Sequence, residues 1–145
     1  MNIPVVDLAE FRSGDPSRKQ KFVEELGKAY EEVGFVAVKN HGIPDDLIAN
    51  LYKYVQQFFA LPGEVKLSYE KKELAGQRGY TSFGREHAKG FDAPDLKEFF
   101  QYGQTVEDGD PIREEYPDNV QVQEVPQFNP TLFAAYRNFE SSGKA

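Results

Sequence analysis

Gly34-Phe35-Val36-Ala37-Val38-Lys39-Asn40-His41-Gly42-Ile43-Pro44 is the stretch on which the fold turns. A helical pattern runs into it, an apolar strand occupies its first half, and Pro44 opens a second helical pattern. Gly34 ends the first helix, because glycine takes the left-handed conformation without steric cost. Phe35 to Val38 is an unbroken apolar run, which predicts a strand covered on both faces. Asn40 and His41 fall in the turn between strand and helix. The expectation for His41 is a turn residue that hydrogen-bonds the backbone.

Upstream, Ile3 to Leu8 reads as a short strand, with Pro4 near its start where a missing N–H is tolerated. Asp15-Pro16 is a helix start: Asp15 caps free N–H groups and Pro16 suits the first helical position. Phe22, Leu26, Ala29, Tyr30 and Val33 recur at helical spacing, so one amphipathic helix of about four to five turns is predicted.

Downstream, Pro44 to Ala60 is a second helix. Asp45 and Asp46 sit in its first turn, and Leu47, Ile48, Leu51, Val55, Phe58 and Phe59 form its apolar side. Leu61-Pro62 breaks it, and a further helical turn or two follows to Tyr69. Lys71 to Ala93 is polar and punctuated by glycines, so it reads as a long loop; such loops inside domains are usually functional or disordered. Leu96 to Tyr102 is a third strand, closed by Gly103. Thr105 to Asn129, with its prolines and acidic residues, is a connector. A last helix starts at Pro130 with Phe133, Tyr136 and Phe139 on one side.

The 145 residues suit one domain of mixed α/β (α+β) class. With 12 Phe and 8 Tyr among the apolar residues, the core must be largely aromatic, its tyrosine hydroxyls reaching polar partners. A net charge of −7 argues against nucleic acid and anionic membrane surfaces as partners. The absence of cysteine excludes disulfides, thiolate metal sites and a Cys nucleophile. No signal peptide and no apolar stretch near the roughly 20 residues that span a bilayer are visible, so a soluble cytoplasmic protein is expected.

A non-heme iron site commonly needs two histidines and a carboxylate. The two histidines here, His41 and His87, belong to no His-x-Asp or His-x-Glu pair, so no metal ligand and no catalytic residue is assigned. Neither a nucleophile elbow nor a phosphate loop occurs. The candidate site is the glycine-rich loop: Arg78, Tyr80, Thr81, Arg85 and His87, with Lys89 nearby, offer cations and hydroxyls that could hold a carboxylate-bearing small molecule. The alternative is an ordinary solvated loop with a tyrosine anchored in the core.

Taken together, Ile3-Pro4-Val5-Val6-Asp7-Leu8, Gly34-Phe35-Val36 with Asn40-His41-Gly42-Ile43, Phe58-Phe59-Ala60-Leu61-Pro62 with Lys66, Arg78-Gly79-Tyr80, Asp95-Leu96-Lys97-Glu98-Phe99-Phe100 and Asn119-Val120 with Val125-Pro126 resemble a known family. It is the N-terminal region of the iron(II)- and 2-oxoglutarate-dependent dioxygenases of the isopenicillin N synthase type. Members often carry Trp where Gln121 stands. The resemblance implies helices packed on short strands, around Val5, Val36 and Phe99, that complete the larger sheet of a double-stranded β-helix (jelly roll). It implies Fe(II) and 2-oxoglutarate as cofactors of the full-length enzyme, none bound to this chain, and oxidation of a small molecule. In that frame, 1–103 is the N-terminal helix and strand region, 104–129 a connector, and 130–145 the start of the helix before the barrel.

The iron ligands and the Arg-x-Ser that such enzymes use lie in the other half of the family's chain. Arg78, Arg85, Arg113 and Arg137 all lack a Ser two residues on. The chain is therefore expected to be an N-terminal fragment, inactive alone, that associates with the missing catalytic half or with itself. A stand-alone binding or dimerisation module derived from the family is the alternative, and an unrelated α/β enzyme using Tyr80 and His87 a third reading.

Overall fold

The computed structural model describes residues 2–85 and 95–143. In chain order, the elements are β1 (Val5–Asp7), α1 (Leu8–Phe11), α2 (Pro16–Glu32), β2 (Ala37–Lys39), α3 (Asp45–Phe59), α4 (Gly63–Ser68), β3 (Gly79–Thr81), β4 (Phe99–Gln101) and α5 (Phe128–Gly143). Single 3-10 turns occur at Lys72–Leu74 and Arg113–Glu115. They form two compact units, Met1–Asp45 with Arg137–Ala145, and Asp46–Tyr136.

In the first unit, β1 and β2 run parallel, with Val5 opposite Ala37, Val6 opposite Val38 and Asp7 opposite Lys39. Asp15 caps α2 as its sequence predicts, its carboxylate accepting from Ser17 N at 2.8 Å. Gly34 ends the helix at φ +80°, its N–H donating to the Ala29 and Tyr30 carbonyls. The Ile43 N–H donates to His41 Nδ1 at 3.0 Å, so His41 does hold the turn. Asn40, at φ 54°, donates through its side-chain amide to both Asp7 oxygens. Ser142 of α5 donates to the His41 carbonyl at 2.7 Å and accepts at its own carbonyl from Arg12 at 2.7 Å.

The strand after Gly34 departs from expectation. It begins at Ala37 rather than Phe35, and its three residues are all exposed. Phe35 is 67% exposed. The apolar run signals burial, but among the described residues β2 has only β1 beside it. By alternation Ile3, Val5, Phe35 and Ala37 share one open face, while Val6, on the other, is buried against its own unit.

In the second unit, α3 turns its apolar side inward as expected, and Phe58 is completely buried. Its ring stacks on Phe128 at a centroid distance of 4.9 Å and meets Phe100 and Tyr80 edge-on at 5.0 and 6.0 Å. Val122, Val125 and Tyr69 complete this core. Two asparagines tie the connector to it. Asn129 accepts from Val122 N and donates to the Val120 carbonyl, both at 2.7 Å. Asn119 pairs in the same way with the N–H and carbonyl of Gly103.

Three further elements differ from expectation. Leu8–Phe11 forms a helical turn, capped by Asp7. The polar stretch after Lys71 contains β3, which reads as loop because only three residues pair. Helix α5 begins at Phe128, not Pro130; Pro130 fits its first turn, where backbone N–H groups have no intrahelical partner in any case.

Candidate functional site

Strands β3 and β4 are antiparallel, with Gly79 opposite Gln101, Tyr80 opposite Phe100 and Thr81 opposite Phe99. Alternation splits their side chains between two faces. Tyr80 and Phe100 enter the aromatic core. Thr81, Phe99 and Gln101 line a cleft of about 550 Å³, bounded also by Glu70, Lys71, Lys72, Gln77 and Arg85. Gly79 makes the strand's approach to residue 69 possible. At φ +81° an added Cβ would lie 2.5 Å from the Tyr69 carbonyl oxygen and 2.9 Å from Val120, so only glycine fits.

Two carboxylates fix this pair of strands. Glu98 receives the Lys66 ammonium at 2.7 and 3.0 Å and the Tyr80 hydroxyl at 2.5 Å. Burial works to raise its pKa, but the hydrogen bonds from Lys66 and Tyr80 outweigh it, and the carboxyl ends below its ordinary value. Tyr80 is pushed well up, first by burial and then by the adjoining Glu98. It is therefore a hydrogen-bond donor, not a base, at neutral pH. Glu70 accepts from Ser82 and, through both oxygens, from Arg85 at 3.1 and 3.2 Å. Burial again opposes ionisation, and again the hydrogen bonds from Arg85 and Ser82 prevail, so Glu70 is held below its ordinary pKa.

Tyr80, Thr81 and Arg85 thus meet at one cleft. Arg78 packs its guanidinium against Gly103 and donates to the Gln77 carbonyl at 2.7 Å. His87 and Lys89 lie outside the described residues. Sequence reasoning did not assign Lys66, Glu70 or Glu98 to the site. A lone lysine after Val65 and a lone glutamate before Phe99-Phe100 were the available signals. Their partnership spans 32 residues and has no local signature.

Residues 3–126 match the family model described as non-haem dioxygenase in morphine synthesis, N-terminal. The chain belongs to this family. A 2-oxoglutarate-dependent dioxygenase, frbA, of Dothideomycetidae sp. is 36% identical over 87 residues, covering 59% of this chain and 26% of that protein. A 1-aminocyclopropane-1-carboxylate oxidase of Dictyostelium discoideum is 34% identical over 110 residues, covering 74% and 28%.

Solved structures agree with the family. A putative 2OG-Fe(II) oxygenase family protein from Caulobacter crescentus superposes with a TM-score of 0.79 at 32% identity, over 97% of this chain and 45% of that one. A full-length Neurospora crassa protein in complex with alpha-KG gives 0.75 at 27%, over 96% and 43%. The chain thus spans about a quarter to a third of the curated relatives it matches.

The relatives' names carry 2-oxoglutarate and Fe(II) chemistry. Among the described residues, no three His, Cys, Asp or Glu side chains are grouped so as to hold a metal ion. These residues do not fit an iron centre. No helix among them is long and apolar enough to cross a membrane.

Proposed function

We propose that this chain is the N-terminal portion of a 2-oxoglutarate- and Fe(II)-dependent oxygenase acting on a small molecule. The β3–β4 cleft then contributes to the substrate entrance, with Tyr80, Thr81 and Arg85 among the residues that shape it, and Arg78 and His87 belonging to the same loop. One observation carries this reading. The β3–β4 pair has one face locked into the core by Phe58 and the Lys66–Glu98–Tyr80 network, and the other turned to an open cleft. A rigid platform with one polar, accessible face is what substrate positioning requires.

Residues 1–103 serve as the helix and strand platform, 104–129 as the connector and 130–145 as the start of the helix leading to the catalytic barrel. The open face of Ile3, Val5 and Phe35, 49%, 59% and 67% exposed, supports completion of the sheet by strands of a jelly roll. Iron and 2-oxoglutarate are held by that barrel. A cysteine-free, acidic composition supports a cytoplasmic enzyme without nucleic-acid or membrane partners.

The test is turnover by the natural protein that carries this region. Supplied with Fe(II), O₂ and candidate small acids, it should convert 2-oxoglutarate to succinate in a substrate-dependent manner. Gln101→Arg, on the exposed cleft side of β4, should raise the substrate KM and leave substrate-independent succinate formation intact. Absence of succinate from the iron-loaded native protein overturns the reading.

The same exposed face supports a second reading, an inactive binding or dimerisation module. Light scattering separates the two: a defined, stable oligomer of the 145-residue chain favours the module.

A further inference from the structure

We infer that the β3–β4 cleft recognises a carboxylate-bearing small molecule through the Thr81 hydroxyl and the Lys71 and Lys72 ammonium groups. This rests on the cleft being the substrate entrance and names the ligand class it takes. Thr81 is only 7% exposed, and its Oγ1 is buried without a hydrogen-bond partner. A buried hydroxyl left in that state is destabilising, because its lost water contacts are not replaced. It sits on the strand face that forms the cleft wall. The Oγ1 is covered in this structure with Gly76 beside it, so a ligand oxygen that displaces the Gly76 turn gains a donor that the fold leaves unengaged.

The charge around the hydroxyl decides which oxygen. Arg85 is matched by Glu70, whose two oxygens take its guanidinium bidentately. That pair contributes no net charge and is stabilised internally, so the arginine is not the anion receptor that its position in sequence suggests. Lys71 and Lys72 line the same cleft and make no ion pair among the described residues. Among the described residues the cleft therefore carries an uncancelled positive charge, within a chain of net charge −7.

Gln77 and Gln101 add side-chain amides, and Phe99 adds an apolar wall. A carboxylate accepts the Thr81 O–H and is balanced by the lysines, while an apolar or planar body rests on Phe99. A neutral ligand of the same shape would forgo the charge-assisted contacts, which are roughly twice as strong as neutral ones.

The experiment is an amide NMR titration of the 145-residue chain with hippurate, an aromatic acylamino acid, and with its uncharged analogue hippuramide. Hippurate should shift the Gly79, Thr81 and Gln101 amides and bind about tenfold more tightly than hippuramide, the equivalent of one charge-assisted contact. Thr81→Val should keep the fold, because the hydroxyl supports nothing within the chain, and should weaken hippurate about tenfold. Lys71→Gln with Lys72→Gln should bring hippurate to the affinity of hippuramide.

Equal affinity for the two probes overturns the carboxylate assignment and leaves the entrance reading standing. Absence of cleft shifts with either probe, in a chain whose spectrum is that of the folded protein, overturns the entrance and the assignment together. Unchanged hippurate binding by a folded Thr81→Val removes the hydroxyl from recognition.

Discussion

Lys66 and Glu98 meet at 2.7 Å, with side chains only 11% and 17% exposed. They are 32 residues apart in sequence, Lys66 within α4 and Glu98 just before β4. The Lys66 ammonium also donates to the Phe59 carbonyl, and Glu98 also accepts from Tyr80. One pair thus joins the end of α3, helix α4 and both site strands.

Removing one partner of such a pair strands the other in a low-dielectric setting. Lys66→Met should therefore destabilise the chain by about 3–5 kcal/mol. Lys66→Met combined with Glu98→Gln should recover part of that loss, because no unpaired charge remains. Urea unfolding of the two variants checks both expectations. A loss below about 1 kcal/mol for the single variant would show that water reaches the pair.

Acid should release the same contacts. The unfolded glutamate titrates near 4.5, and the folded Glu70 and Glu98 titrate below it. The unfolded chain thus takes up protons first as pH falls. Their contribution to stability is complete above pH 4.5 and disappears as pH drops through the folded pKa values. The urea midpoint should fall more steeply below pH 4.5 in the wild type than in Glu70→Gln with Glu98→Gln. Parallel pH profiles would contradict this.

Two glycines with similar backbone angles should behave differently. Gly14 and Gly79 have φ of +76° and +81°. A Cβ on Gly14 meets nothing within 4 Å, whereas on Gly79 it strikes the Tyr69 carbonyl and Val120. Gly14→Ala should cost about 1–2 kcal/mol from backbone strain alone. Gly79→Ala adds a steric clash and should cost clearly more. Thermal unfolding of both variants tests the ordering, and equal costs would refute the close approach.

The connector's asparagines should matter in proportion to burial. Asn129 is 6% exposed and serves Val120 and Val122. Asn129→Ala leaves the Val122 N–H and the Val120 carbonyl without their partner and should cost about 1–3 kcal/mol for each group that water does not reach. Amide hydrogen exchange at Val122 should accelerate in this variant. Unchanged protection there would mean that another group replaces the asparagine.

How much of this was legible before folding depends on range. Asp15-Pro16, Gly34 and the apolar side of α3 act through neighbours one to four residues away, and all three read correctly. The His41 turn did too, since its hydrogen bond reaches only Ile43. Strand β3 did not read, because Gly79, Tyr80 and Thr81 pair with Gln101, Phe100 and Phe99 far along the chain. The burial forecast for Phe35 to Val38 failed for a related reason. Apolar sequence states what a residue would gain from cover, not whether cover is present.

The sequence by itself determined the helix boundaries at Asp15 and Gly34, the aromatic character of the core and, through motifs spread along the chain, membership of the dioxygenase family. Tertiary structure alone decided what Arg85, Arg78 and Lys66 do. Arg85 is neutralised by Glu70, Arg78 lies on Gly103, and Lys66 is buried against Glu98. Charge type is local, but whether a charge is cancelled depends on which distant carboxylate the fold brings within about 4 Å. Arg78, Arg85 and Thr81 are all legible in sequence as candidate donors, but that Glu70 holds Arg85 while the Thr81 hydroxyl has no partner shows only in three dimensions.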